Sequence, residues 1–175
     1  GVGFTYINKL TKIKSFICGG PQERGLRAGT ESVHNIVGMT TALEIADRNM
    51  EQEAKYVLSI KEYMIKSLRK LFPDIHFNGE SGDIKNSTYT ILNVCLPISN
   101  DKAAMLDFNL DLKGIACSRG SACQSGSSEG SHVLNEIQSE DQKKFPSVRF
   151  SFSHNNKIEE VDYLIDTLKE LINSQ

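Results

Sequence analysis

Pro73 divides this chain into two kinds of pattern. Before it, Tyr56, Val57, Ile60, Tyr63, Met64, Ser67, Leu68 and Leu71 recur at helical spacing and predict a helix over about 50–72. Proline cannot continue that helix, because its ring clashes with the preceding turn and it has no N–H to donate. An earlier stripe of Val33, Ile36, Val37, Thr40, Leu43 and Ile45 predicts another helix, with Thr30 as N-cap and Glu31 in its first turn. Both stripes read as packing faces. After Pro73 short elements alternate: strands at 75–79 and 87–97, a helix at 101–114 ended by Gly114, a strand at 115–118 and a short helix at 131–139 capped by Ser131. A strand at 147–153 and an amphipathic helix at 157–172 close the chain. This order predicts an α/β or α+β unit over 73–175.

Ahead of the helices, "GVGFTYI" reads as a strand over residues 2–8, and "CGGPQERGLRAGT", 18–30, as a loop. A chain that starts inside a strand pattern, with no initiator Met, is expected to be the later part of a larger protein. Its 175 residues are 39% hydrophobic and 24% charged, which fits a soluble globular protein. The net charge of -2 gives no whole-chain nucleic-acid footprint. No apolar run approaches the ~20 residues of a membrane span. Four cysteines without a CxxC pair exclude a secreted disulfide framework and argue against structural zinc, so the expected compartment is reducing and cytoplasmic.

Three features carry chemistry. The 18–30 loop combines Gly19, Gly20, Gly25 and Gly29 with Arg24 and Arg27 ahead of a helix start. Such a loop either binds an anion or is simply a tight turn. Arg149 alternates with Val148 and Phe150, so it faces away from the core; it is either an ordinary surface residue or a fork for a substrate carboxylate. Cys123 sits in "CSRGSACQSGSSEGSH", 117–132, among residues that cannot build a core around a thiol. It is either incidental or reactive, with Arg119 and His132 as nearby groups that would favour its thiolate.

Taken in order, "GGPQERGLRAGTESVHNIVG", "LDLKGIACSRGSACQSGSSEGSHVL" and "VRFSFS" resemble the cysteine desulfurases of the NifS/IscS type. These are pyridoxal 5'-phosphate (PLP) enzymes of the aspartate-aminotransferase-like, class V transferase fold. The resemblance implies that Cys123 is the catalytic cysteine and that Arg149 holds the substrate carboxylate. It implies that Thr30 reaches the cofactor phosphate of the other subunit of a homodimer, and it places Asn93 on a bordering strand without a role. L-cysteine would be the substrate. The Cys123 thiolate would take its sulfur, leaving alanine and an enzyme persulfide for acceptor proteins of iron–sulfur cluster assembly or tRNA thiolation.

The sequence departs from the family at Arg119, Pro21, Ala28 and Gly130, which alters loop charge and flexibility but removes no motif role. The family's Schiff-base lysine has no match, since Lys9, Lys12 and Lys14 all follow the "GVGF" segment. The expectation is therefore a C-terminal fragment, inactive alone. Residues 1–48 would end the large cofactor domain, 49–72 form a connecting helix, and 73–175 form a small α+β domain with the cysteine loop at 118–130. A selenocysteine lyase and a non-catalytic dimerisation or acceptor-docking module are the other readings.

Overall fold

The computed structural model describes residues 1–98, 103–119 and 131–173. The chain forms two compact units, Gly1–Met50 and Glu51–Gln175. Its elements in order are α1 (Val33–Leu71), β1 (His76–Phe77), β2 (Ile91–Cys95), α2 (Leu106–Leu112), β3 (Ser118–Arg119), α3 (His132–Ile137), β4 (Ser147–Ser151) and α4 (Ile158–Asn173). Among the described residues no helix is long and apolar enough to cross a membrane.

The larger unit is an α/β structure built on a four-stranded antiparallel sheet of order β1-β2-β4-β3. Period-two alternation sorts its side chains. Leu92, Val94, Val148 and Phe150 are buried and join Ile60, Met64 and Leu68 of α1, Leu106 and Leu110 of α2, and Val161, Leu164, Ile165 and Leu168 of α4 in one core. The helices therefore cover one face of the sheet. The other face carries Asn93, Ser147, Arg149 and Ser118.

Local chemistry explains the ends of these elements. The residue before a proline disfavours the helical region, and α1 ends at Leu71, two residues ahead of Pro73. Gly114 closes α2 in the left-handed region at φ +74. There its N–H donates to Asp111 O at 2.8 Å and that of Ile115 to Leu110 O at 2.9 Å, the paired bonds of a Schellman motif. Ser131 caps α3, its hydroxyl accepting from Leu134 N at 3.4 Å.

Other expectations are corrected. Residues 2–8 form no strand: no neighbouring strand is described in the Gly1–Met50 unit to take up their backbone groups, and Phe4 and Tyr6 are exposed. Thr30 is not an N-cap, and Glu31 is not in the first turn. The Ser32 carbonyl is the one that accepts from Ile36 N at 3.0 Å, so α1 begins at Val33. The two helical stripes belong to one 39-residue helix, since no glycine, proline or cap interrupts 46–50. Only the later stripe packs; Val33, Val37, Leu43 and Ile45 are exposed, because nothing described within Gly1–Met50 forms a second layer over them. The expected strand at 115–118 shrinks to Ser118–Arg119. Ahead of it, Gly114–Ala116 stands off Phe150–Phe152 across a cavity of about 550 Å³.

One polar side chain lies fully inside the helical layer. Lys61 has no exposed surface, and its Nζ donates to Ser87 Oγ and Thr88 O, both at 2.7 Å. Burial lowers its pKa from the ordinary lysine value, with the Asp83 carboxylate pulling the other way. Replacing Lys61 with Met leaves that hydroxyl and carbonyl without their donor, and is expected to cost about 3 kcal/mol in urea denaturation. The folded state holds this proton less firmly than the unfolded chain does. The contribution of Lys61 therefore grows as pH rises from its lowered pKa toward the ordinary lysine value, and is smallest below that window. The gap between wild type and Lys61→Met should widen on the alkaline side; a flat difference would contradict the burial.

Candidate functional site

The face of the sheet turned away from the helical core is polar. Arg149 sits at its centre on β4, opposite Asn93 of β2 on one side and Ser118 of β3 on the other. Directly opposed residues of antiparallel strands send their side chains to the same face, with Cβ atoms about 5 Å apart. Arg149 is exposed, and among the described residues no acceptor is paired with its guanidinium. A cation with five donors in a fixed plane is thus presented beside an amide and a hydroxyl.

Behind Asn93 lies a set of interlocked amides. Asn78, buried at the end of β1, donates its N–H to Asn93 O at 2.9 Å and its Nδ2 to Asn93 Oδ1 at 2.9 Å. The same Nδ2 reaches Ser147 Oγ at 3.0 Å. Gln138, just after α3, donates Nε2 to Asn78 Oδ1 at 2.7 Å and to Ser147 Oγ at 2.9 Å. Ser81 Oγ adds a bond to Asn93 O at 2.8 Å. No buried side-chain polar atom among the described residues lacks a partner. Buried polar groups paired with one another hold their positions, because moving one away leaves its partner unpaired. Ser118, on this face, precedes the segment that holds Cys123, and Gln138 follows that segment after α3.

Cys123 lies outside the described residues. The other thiols are unsuited to nucleophilic work or stand elsewhere. Burial pushes the Cys95 thiol up, and burial with the Asp107 charge pushes Cys117 up, so both are held in the protonated form. Cys18 is exposed in the Gly1–Met50 unit. Of the two groups expected to favour a Cys123 thiolate, Arg119 is committed elsewhere. It faces the opposite side of the sheet, opposite Val148, with Nη1 on Ala103 O at 2.9 Å and Nε 3.7 Å from Asp107 Oδ1. Burial pushes the Asp107 carboxyl up and the Arg119 charge pulls it back down. His132 is exposed at the start of α3.

In the Gly1–Met50 unit the 18–30 loop closes on itself. Ala28 N donates to Ile17 O at 3.1 Å, Gly29 N to Gln22 Oε1 at 3.2 Å, and Arg27 Nη1 to Gly29 O at 3.1 Å and Thr30 O at 3.4 Å. Gly29 has φ +103, and a Cβ there would meet Arg27 Nη1 at 3.2 Å, so only glycine suits the turn. Arg27 shapes the loop from within. Thr30 is exposed at its end, an available hydroxyl beside exposed backbone of the kind that suits a phosphoryl oxygen.

Arg149 and Asn93 are therefore brought together, and Thr30 belongs to the other unit. Asn78, Gln138 and Ser147 were not singled out from sequence. Asn78 stands before Gly79 at the end of the expected 75–79 strand, which suggests no more than a turn, and nothing about the spacing of Gln138 marks it as a partner 60 residues from Asn78.

The family described as Aminotransferase class-V matches residues 1–164. A cysteine desulfurase, IscS, of Dictyoglomus turgidum is 36% identical over 173 residues, 98% of this chain and 42% of that protein. A cysteine desulfurase of Bradyrhizobium diazoefficiens is 35% identical over 175 residues, again 98% of this chain and 42% of the relative. A solved NifS-like protein superposes with a TM-score of 0.74 at 30% identity, covering 95% of this chain and 40% of that one. A NifS-like protein from Rickettsia africae gives a TM-score of 0.67 at 25% identity, covering 94% and 41%. The chain thus spans about two-fifths of the length of the relatives it matches.

Proposed function

Because the chain belongs to the aminotransferase class-V family, we propose that it is the C-terminal part of a pyridoxal-phosphate-dependent cysteine desulfurase, its sheet face holding L-cysteine and its cysteine loop removing the sulfur. The observation that carries this reading is Arg149, which no described residue pairs, at the centre of that face and one strand from the segment leading to Cys123. An exposed guanidinium without an acceptor suits a carboxylate, which it can grip with two parallel hydrogen bonds.

In this reading Arg149 orients the substrate by its carboxylate. The Cys123 thiolate attacks the substrate sulfur: an S–S bond forms, the C–S bond breaks, and the carbon takes up a proton to leave alanine. The persulfide on Cys123 then passes to an acceptor protein. When bound, pyridoxal phosphate supplies the electron sink that makes the C–S bond cleavable. The residues present suit only its phosphate edge, through the exposed Thr30 hydroxyl offered to the second subunit of a homodimer. No lysine of this chain matches the family's Schiff-base position, so the chain by itself is expected to be inactive.

The test is a mass measurement. Full-length protein incubated with L-cysteine, digested without reductant, should yield the Cys123 peptide heavier by about 32 Da, one sulfur atom. The peptides of Cys18, Cys95 and Cys117 should be unchanged. Sulfur appearing on one of those instead would move the carrier role away from Cys123.

A further inference from the structure

We infer that Asn93 is a second donor to the substrate carboxylate, held beside Arg149 by the relay from Gln138 through Asn78. The inference rests on the assignment of Arg149 to that carboxylate.

Asparagine is a poor strand former, so its place in the middle of β2 is not explained by backbone preference. Only part of Asn93 is spent on holding the fold. Its Oδ1 is committed to Asn78 Nδ2 at 2.9 Å, and its carbonyl to Asn78 N and Ser81 Oγ. Among the described residues its Nδ2 group has no acceptor. In the structure Gln138 Nε2 donates to Asn78 Oδ1, and Asn78 Nδ2 donates to Asn93 Oδ1. In that orientation the Asn93 amide turns its oxygen toward Asn78 and leaves its NH₂ as the open end. Asn93 is half-buried, so this end remains accessible to a ligand.

The guanidinium directly opposite on β4 also has only donors and no acceptor. Two donor groups side by side on one sheet face, with no acceptor of their own, match an acceptor-only anion. A carboxylate has about four lone-pair sites, and the guanidinium fork fills two of them. An amide N–H is suited to a third. The neutral amide also matters electrostatically: an aspartate at position 93 would pair with Arg149 and cancel the charge the ligand needs.

The experiment compares ligands with and without a carboxylate on the full-length protein. For Asn93→Leu, which removes the amide without adding a charge opposite Arg149, KM for L-cysteine should rise about 10- to 100-fold, the range for losing a hydrogen bond to a charged group, with a much smaller change in kcat. Competitive inhibition by L-alanine should weaken by the same factor, while inhibition by L-alaninamide should not change. Should Asn93→Leu fail to fold, Asn93→Ser keeps a small polar side chain in place of the amide and should show the same preference for carboxylate ligands at about 5- to 10-fold. Alanine and alaninamide weakening together, or no change in KM, would overturn the inference. Arg149→Ala separates the two levels. If it abolishes the discrimination while both Asn93 variants are silent, the Asn93 role alone falls. If Arg149→Ala is itself silent, the carboxylate assignment falls with it.

Discussion

Replacing Cys123 with serine in the full-length protein is expected to lower sulfide release from L-cysteine by at least about 1000-fold, the scale on which a lost nucleophile is felt. Serine is nearly the same size, so packing is not the cause. Its hydroxyl is protonated at neutral pH and cannot carry a persulfide. Cys117 is the natural control. It is half-buried against the core and its thiol is pushed up, so Cys117→Ala should leave the rate within about 3-fold. The measurement is sulfide and alanine release, with the bound cofactor followed by its absorbance. Release that persists in Cys123→Ser, or that disappears in Cys117→Ala instead, would move the chemistry to another sulfur.

Much of the larger unit was readable because local and tertiary preferences agree there. The alternation of "SVRFS" fixed which residues of β4 point inward, and Val148 and Phe150 are buried as that pattern requires. Ser131 and Gly114 mark element ends through side-chain and backbone chemistry that acts within a few residues, which is why sequence alone located them. The errors fall where an element depends on something distant. Residues 2–8 have the composition of a strand, but a strand exists only when paired. Likewise 115–118 has a strand's composition, yet its start is drawn away by the Schellman motif at Gly114. The first half of α1 has an apolar stripe with nothing described to receive it.

The candidate site divides in the same way. Arg149 was visible from strand alternation, and the family resemblance supplied its role. The amides that set Asn93 were not visible, because Asn78, Ser147 and Gln138 come together only through the sheet register and the position of α3. Arg119 shows the opposite failure. Its closeness to Cys123 in sequence suggested an activating charge, but the β3 register turns it to the other face and ties it to Asp107.

Arg149→Ala is expected to cost about 100- to 1000-fold in kcat/KM for L-cysteine, mostly through KM, because two charge-assisted hydrogen bonds to the carboxylate are lost together. Arg149→Lys keeps the charge without the planar fork and should recover about 10-fold of that. These effects can be read as binding because the guanidinium contributes so little to folding. It is exposed, and no described residue pairs with it. Unfolding free energies of both variants should therefore lie within about 0.5 kcal/mol of wild type. An ordinary surface arginine would give the same stability result but no more than about a 2-fold change in kcat/KM. Denaturation and kinetics on the same preparations thus separate the alternatives. A large loss of activity with unchanged stability supports carboxylate binding, and unchanged activity returns Arg149 to the surface. A loss of both would mean that the guanidinium holds the fold, contrary to its unpaired position between Asn93 and Ser118.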